Sequence, residues 1–144
     1  MKTCSCKPDA PWQAEEKSKK ERFKMLRKLR PIVFEDSLIV RILSALHLLG
    51  VRIIALSFGP FIFLKNKRNP LMENHETIHF FQQLELLFVF QWLLYGIFYL
   101  VGLVKHRSRS LAYYSNPFEK EAYENQGDMN YLERRPWFNW RRYL

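Results

Sequence analysis

His75-Glu76-Thr77-Ile78-His79-Phe80-Phe81-Gln82-Gln83 is the stretch on which the reading of this chain turns. Residues four apart share one face of an α-helix, so His75 and His79 can converge on one point. Two imidazoles so placed can bind one Zn²⁺. The Glu76 carboxylate beside the first can then take a proton from a metal-activated water. The flanks supply the helix this requires. Asn69-Pro70 reads as an N-cap followed by proline at the first helical position. Downstream, LELLFVFQWLLYGIFYLVGLV at residues 84–104 carries Glu85 as its only formal charge. That run is long enough to cross about 30 Å of hydrocarbon. The pattern predicts one helix running from Asn69 through the motif into a transmembrane segment at 84–104. The basic run KHRSR, 105–109, closes it. Trp92, Tyr95 and Tyr99 read as interface or packing aromatics.

The composition agrees with a membrane setting. The chain has 144 residues, enough for a single domain, with 48% hydrophobic and 16% aromatic residues, twelve of them Phe,. The formal net charge is +9. Positive charge gathers at the two ends and apolar residues in the middle, which favours a bilayer with anionic headgroups over a nucleic acid. No zinc-finger spacing, RNP aromatic pair or helix-turn-helix signal is present. Residues 1–36 read as a basic N-terminal segment, partly disordered around Pro8 and Pro11. Phe23, Leu26 and Leu29 fit an amphipathic helix within 15–30. There is no apolar h-region, so both termini are expected in the cytosol and the chain at the inner (cytoplasmic) membrane. Cys4 and Cys6 are too close for an unstrained disulfide and do not make a zinc site by themselves.

Residues 37–144 are expected to form the single domain. Its first apolar block, 37–64, contains Arg41, His47 and Arg52, and charges at mid-membrane cost about 2.5–3.5 kcal/mol each. Gly50 and Gly59-Pro60 also interrupt it. The block therefore splits into a helix at 37–49 and β-branched or aromatic extended segments at 51–58 and 61–64. Glu85 needs a cationic partner, for which Arg41 and Arg52 are the candidates.

A two-histidine site needs a third protein ligand. Ser115-Asn116-Pro117-Phe118-Glu119 opens a second capped helix, ending near Gln126 before Gly127-Asp128. It offers Glu119, Glu121 and Glu124. Glu119 could equally be a capping-box residue, and Glu121 and Glu124 solvated charges. His47 and His106 are further candidates. Gln82 and Gln83 can orient ligands or substrate, or bond within a helical bundle. The tail YLERRPWFNWRRYL, 131–144, suits a headgroup layer or a return onto the protein.

HETIHFFQQ resembles the H-E-x-x-H-x-x-Q-Q pattern of several metallopeptidase-like families. FEKEAYE, 118–124, resembles the downstream E-x-x-A or E-x-E-A helix of gluzincins, the zincins whose third ligand is Glu. Together they resemble short bacterial membrane proteins built on this pair of motifs, over most of residues 53–144. The resemblance implies Zn²⁺ held by His75, His79 and Glu119, three residues before Ala122, with Glu121 as the substitute ligand. It implies Glu76 as the general base of peptide-bond hydrolysis, and a substrate cleft lined by the extended segment at 53–63. The family often has Asp after the Ala, supporting a metal-bound histidine. Here Tyr123 stands there, toward ligand or substrate. Tyr113, Tyr114 and Tyr123 are available as oxyanion donors. So short a chain suggests that a homo-oligomer or membrane-complex partner completes the cleft. The expectation is a mainly α, membrane-associated zinc metallopeptidase. The alternative is a non-catalytic membrane scaffold or complex subunit with a structural or vestigial metal site.

Overall fold

The computed structural model describes Met25 and residues 29–46 and 52–144. Cys4, Cys6, His47 and most of the stretch 15–30 lie outside the described residues. The described chain is mainly helical with one small sheet. In order it comprises β1 (Ile32–Phe34), α1 (Leu38–Leu46), β2 (Ala55–Phe58), β3 (Phe61–Leu64), α2 (Pro70–Glu85) and α3 (Val89–His106). Then come α4 (Arg109–Tyr114), α5 (Pro117–Asn125), α6 (Tyr131–Arg134) and a 3₁₀ turn at Asn139–Tyr143.

The motif helix starts where its sequence predicts. Asn69 is extended, its side chain accepts the Leu71 N–H at 3.0 Å, and Pro70 occupies the first turn,. Its end differs from expectation. α2 stops at Glu85, and Leu87 and Phe88 turn left-handed (φ 51° and 62°) before α3 begins. Each such residue costs about 1 kcal/mol or more, so tertiary bonds must hold the break. The Phe88 N–H donates to the Gln83 carbonyl at 2.7 Å. Glu85 accepts from both terminal guanidinium nitrogens of Arg135 and from the Phe138 N–H. Arg135, not Arg41 or Arg52, is thus the partner of Glu85. No glycine or proline marks the break, which is why the sequence reads there as a single helix.

α3 has two unlike faces. Gln91, Tyr95, Phe98 and Gly102, spaced three or four apart, face the protein,. Leu93, Ile97, Leu100 and Val104 form an exposed apolar stripe, Val104 being 80% exposed. After Arg107 (φ 52°) the chain turns back along the inner face. An added Cβ on Gly102 would lie 3.0 Å from Ala112 Cα, and Asn116 Nδ2 donates to the Tyr95 carbonyl at 3.2 Å. The run expected to cross a membrane thus packs one face on the protein and leaves the other exposed. Among the described residues α3 is the one helix long and apolar enough to span a bilayer, with 11% of it buried.

The predicted extended segments are β2 and β3. They pair antiparallel through a two-residue loop in which Gly59 takes φ +58°, a conformation that favours glycine,. β1 pairs parallel with β3, Ile32 opposite Phe61, in the order β1-β3-β2. The sheet thus draws on residues before 37, a stretch expected to stand outside the domain. Gln83 pins the hairpin to α2: its Oε1 accepts the Gly59 N–H at 2.7 Å and its Nε2 donates to the Ser57 carbonyl at 2.9 Å. On the other side of α2, Ile78 packs with Ala122 and Tyr131. The aromatic tail returns onto α5, with the Trp140 ring 4.9 Å from that of Phe118.

Candidate metal centre

α2 and α5 bring together the residues that their two sequence motifs single out. His75 and His79 lie one turn apart, with their Nε2 atoms 3.1 Å from each other. Pro117 starts α5 so that Glu119 enters at the third position of its first turn. Its Oε2 lies 3.6 Å from His75 Nε2 and its Oε1 lies 3.6 Å from His79 Nε2. All three side chains are buried, and their donor atoms lie within 4.8 Å of one another. Tetrahedral zinc with bonds near 2.0–2.1 Å sets neighbouring ligand atoms about 3.3 Å apart. These separations fit one ion. Glu119 does not act as a capping box: the Asn116 N–H donates to the Tyr113 carbonyl.

The hydrogen bonds around the histidines fix which nitrogen faces inward. Gln82 Nε2 donates to Glu121 Oε2 at 2.9 Å and to the Phe118 carbonyl at 3.2 Å, both acceptors. The amide cannot be turned over without losing both bonds. Gln82 Oε1 must then accept from His79 Nδ1, 2.7 Å away. His79 Nε2 is left as the free ligand atom. Gln126 Oε1 lies 3.1 Å from His75 Nδ1. With the two Nε2 atoms 3.1 Å apart, a proton or a metal ion must sit between them. A second sign is Glu119 Oε2, which is buried and has no hydrogen-bond partner among the described residues,. Glu119 Oε1 accepts from the Tyr95 hydroxyl at 2.9 Å.

The electrostatics match a cation site. Burial opposes the charge on Glu119, but His79 and His75 outweigh it and hold the carboxyl well below its usual range. Burial would lower His79, but the charge and hydrogen bond of Glu119 and the charge of Glu76 lift it to about 9. Glu76 is buried beside them. Desolvation raises its pKa against the pull of His79 and His75,.

Glu121 lies elsewhere. It accepts from Arg135, Tyr131, Asn139 and Gln82, and with Glu85 it surrounds the Arg135 guanidinium. Its oxygens serve that buried network. Tyr123 sets its ring edge on His75, with centroids 4.6 Å apart, and touches the rings of Tyr113 and Tyr114. The hydrogen-bond partners of His75 Nδ1 and His79 Nδ1 are Gln126 and Gln82, not Tyr123. Gln83 holds the hairpin, and His106 sits at the far end of α3. Sequence reasoning missed Tyr95, Gln126 and Arg135. A hydroxyl inside an apolar run, needing a partner, was the one available signal for Tyr95.

Two cavities meet at Glu76. One lies between β2 and α3, bordered by Leu56, Gln91, Trp92 and Tyr95 with His79 and Glu119. The other lies on the His75 side, bordered by Arg52, Tyr114, Tyr123 and Gln126. Ile53, Ala55 and Tyr113 border both. No family model, curated protein or solved structure matches this chain.

Proposed function

We propose that the chain is a membrane-associated zinc hydrolase of gluzincin type that cleaves peptide bonds. The observation carrying this reading is the convergence of His75, His79 and the orphaned Glu119 oxygen beside the buried Glu76. Zinc with three protein ligands and an open position supplies a Lewis acid and lowers the pKa of a water to near neutrality. His75, His79 and Glu119 would hold it, each oriented through its remaining polar atom. Glu76 accepts the proton of the attacking water and delivers it to the leaving nitrogen. Tyr113 borders both cavities, and burial first, then the Glu119 charge, pushes its phenol far above its ordinary range. It stays protonated and donates to the carbonyl oxygen as charge develops. The edge segment from Ile53 to Ser57 lines the cleft.

The outer stripe of α3 is the membrane face, at the cytoplasmic membrane with both termini in the cytosol. Its exposed Leu93, Ile97, Leu100 and Val104 and the basic residues closing the helix support this,.

The test is metal analysis of purified protein, run with peptide hydrolysis. About one zinc per chain is expected in wild type and Glu76→Gln, and none in His79→Ala. Hydrolysis is expected in wild type alone. Wild type without zinc would overturn the metal reading. Zinc with equal activity in Glu76→Gln would leave a structural site in a scaffold or complex subunit. For the membrane face, Leu93→Lys with Leu100→Lys should release the chain from membranes at alkaline pH. Wild type already in the soluble fraction would refute that part.

A further inference from the structure

One face of the small sheet is apolar throughout. Pairing sets Ile32 and Phe58 beside Phe61, and Phe34 and Leu56 beside Phe63, so these six side chains share a face,. The alternate residues Ser57, Ile62 and Leu64 are buried on the other face, where Gln83 of α2 bonds Ser57. The first face stays open: Ile32, Phe34, Phe58 and Phe61 are between 36% and 58% exposed. It adjoins the outer stripe of α3, for the Phe58 ring lies 6.0 Å from that of the part-exposed Trp92. Sheet face and stripe are thus one apolar surface with a tryptophan at the seam.

The composition of this surface selects its partner. Neither the six sheet residues nor Leu93, Ile97, Leu100 and Val104 carry a charge or a hydrogen-bonding side chain. A protein interface carries about one hydrogen bond per 100–200 Å², whereas lipid asks for none. Lys105, Arg107 and Arg109 stand exposed where the stripe ends, and the net charge of +9 complements anionic headgroups,. What packs behind α3 sets how it lies. The Phe98 ring, in the middle of the helix, is 6.1 Å from that of Trp140, and the exposed Arg141 and Arg142 follow directly. A crossing α3 would carry these two charges toward the bilayer midplane, where a charge is costly. A helix lying in the interface keeps its stripe in the acyl boundary and leaves both arginines in water.

We infer that the sheet face and the α3 stripe together rest on one leaflet of an anionic bilayer, with α3 parallel to the surface and not across it. The inference rests on the membrane face proposed for α3 and adds to it a second element, an orientation and a lipid charge.

The experiment uses the full chain with Cys4→Ser and Cys6→Ser and one new cysteine, Phe34→Cys, Phe58→Cys or Ile97→Cys, carrying a polarity-sensitive fluorophore. Each protein is reconstituted by detergent removal with vesicles of phosphatidylcholine containing a quarter phosphatidylglycerol. Nitroxide lipids labelled near the headgroup or near the chain end report depth. All three fluorophores are expected to sense lipid and to be quenched more by the shallow nitroxide. Stronger quenching of Ile97→Cys by the deep nitroxide would reveal a crossing helix and overturn the inference. So would Phe34→Cys and Phe58→Cys labels that stay in water while Ile97→Cys is quenched. Either result leaves the membrane face of α3 standing. In vesicle flotation, Phe34→Ser with Phe58→Ser should bind at least about tenfold more weakly than wild type, with an unchanged melting temperature. Wild type should also bind more weakly to phosphatidylcholine alone, and equal binding would refute the anionic partner. Labels reached by neither nitroxide and shielded from aqueous iodide would mean that protein covers the surface, against the inference. Wild type that does not float with vesicles would sink the membrane face of α3 and the inference with it.

Discussion

Gln82 couples His79 to Glu121: its Oε1 accepts from His79 Nδ1 at 2.7 Å and its Nε2 donates to Glu121 Oε2 at 2.9 Å. One buried amide thereby joins the candidate metal site to the Arg135 network. The orientation of the imidazole is set by a group that is itself held at both ends, the condition under which a ligand stays in place without its metal.

Breaking this link should weaken the metal more than the fold. Gln82→Leu is expected to lower zinc affinity about 10- to 100-fold, measured by competition with a chelating dye, while stoichiometry at saturation stays at one. Gln82→Glu keeps an acceptor for His79 but sets a carboxylate against Glu121. It should retain most of the affinity and lower thermal stability. Unchanged affinity in Gln82→Leu would show that the His79 ring is fixed by packing alone.

Glu119 and Glu121 are two residues apart on α5 and should fail in opposite ways. Glu121→Ala leaves the buried Arg135 without one of its two carboxylates, and removing one partner of a buried pair costs about 3–5 kcal/mol,. Glu119→Gln removes a ligand, so zinc is lost; without metal it gives up only the pairing with His79, so the unfolding temperature in chelator should be lower than wild type below about pH 9 and match it above,. Thermal unfolding with and without chelator separates the two. A Glu121→Ala protein as stable as wild type would contradict the Arg135 network.

How much of this was legible follows from the kind of signal each feature leaves. The Asn69-Pro70 and Asn116-Pro117 starts and the turn at Gly59 are local backbone chemistry, and the sequence predicts them within a residue or two. His75, His79 and Glu119 were readable because helical spacing and a capped second helix place them. The helix break at Leu87 and Phe88 was not, because long-range bonds from Arg135 and Phe138 impose it against local preference. The same holds for the partners of Glu85, His75 and Glu119. Arg135, Gln126 and Tyr95 lie 50, 51 and 24 residues from the groups they bind, and no periodicity links them.

The metal-free protein should show a definite pH dependence. His79 titrates near 9 when folded against an ordinary value of 6.5, so its pairing with Glu119 contributes stability in full below about 6.5. That contribution is lost as pH rises through about 9. Glu119 has the opposite sign: depressed by burial-opposing histidine charge, it contributes above its ordinary 4.5 and loses that as pH falls. Zinc must displace the His79 proton, so its affinity should grow over the same interval. Melting temperatures in chelator and in zinc should therefore diverge between pH 6.5 and 9. A chelator curve flat across that range would mean that His79 is neutral throughout.

The return of the chain along α3 depends on one glycine. Gly102 faces α4, where a Cβ would lie 3.0 Å from both Ala112 Cα and Ser115 Oγ. The serine hydroxyl can swing away, but a backbone Cα cannot, so the two helices would have to part. Gly102→Val should cost about 1–3 kcal/mol through overpacking. Because Asn116 and Tyr95 lie on the same two segments, parting them also shifts Glu119 from the histidines. Gly96 is the control: nothing lies within 4 Å of its added Cβ. Gly96→Ala should therefore be neutral or stabilising by up to about 1 kcal/mol, since alanine is the better helix former. Thermal unfolding and zinc affinity of both variants give the check. Gly102→Val should lower both and Gly96→Ala neither. A Gly102→Val protein with unaltered zinc affinity would mean that α5 holds Glu119 in place without the α3–α4 contact.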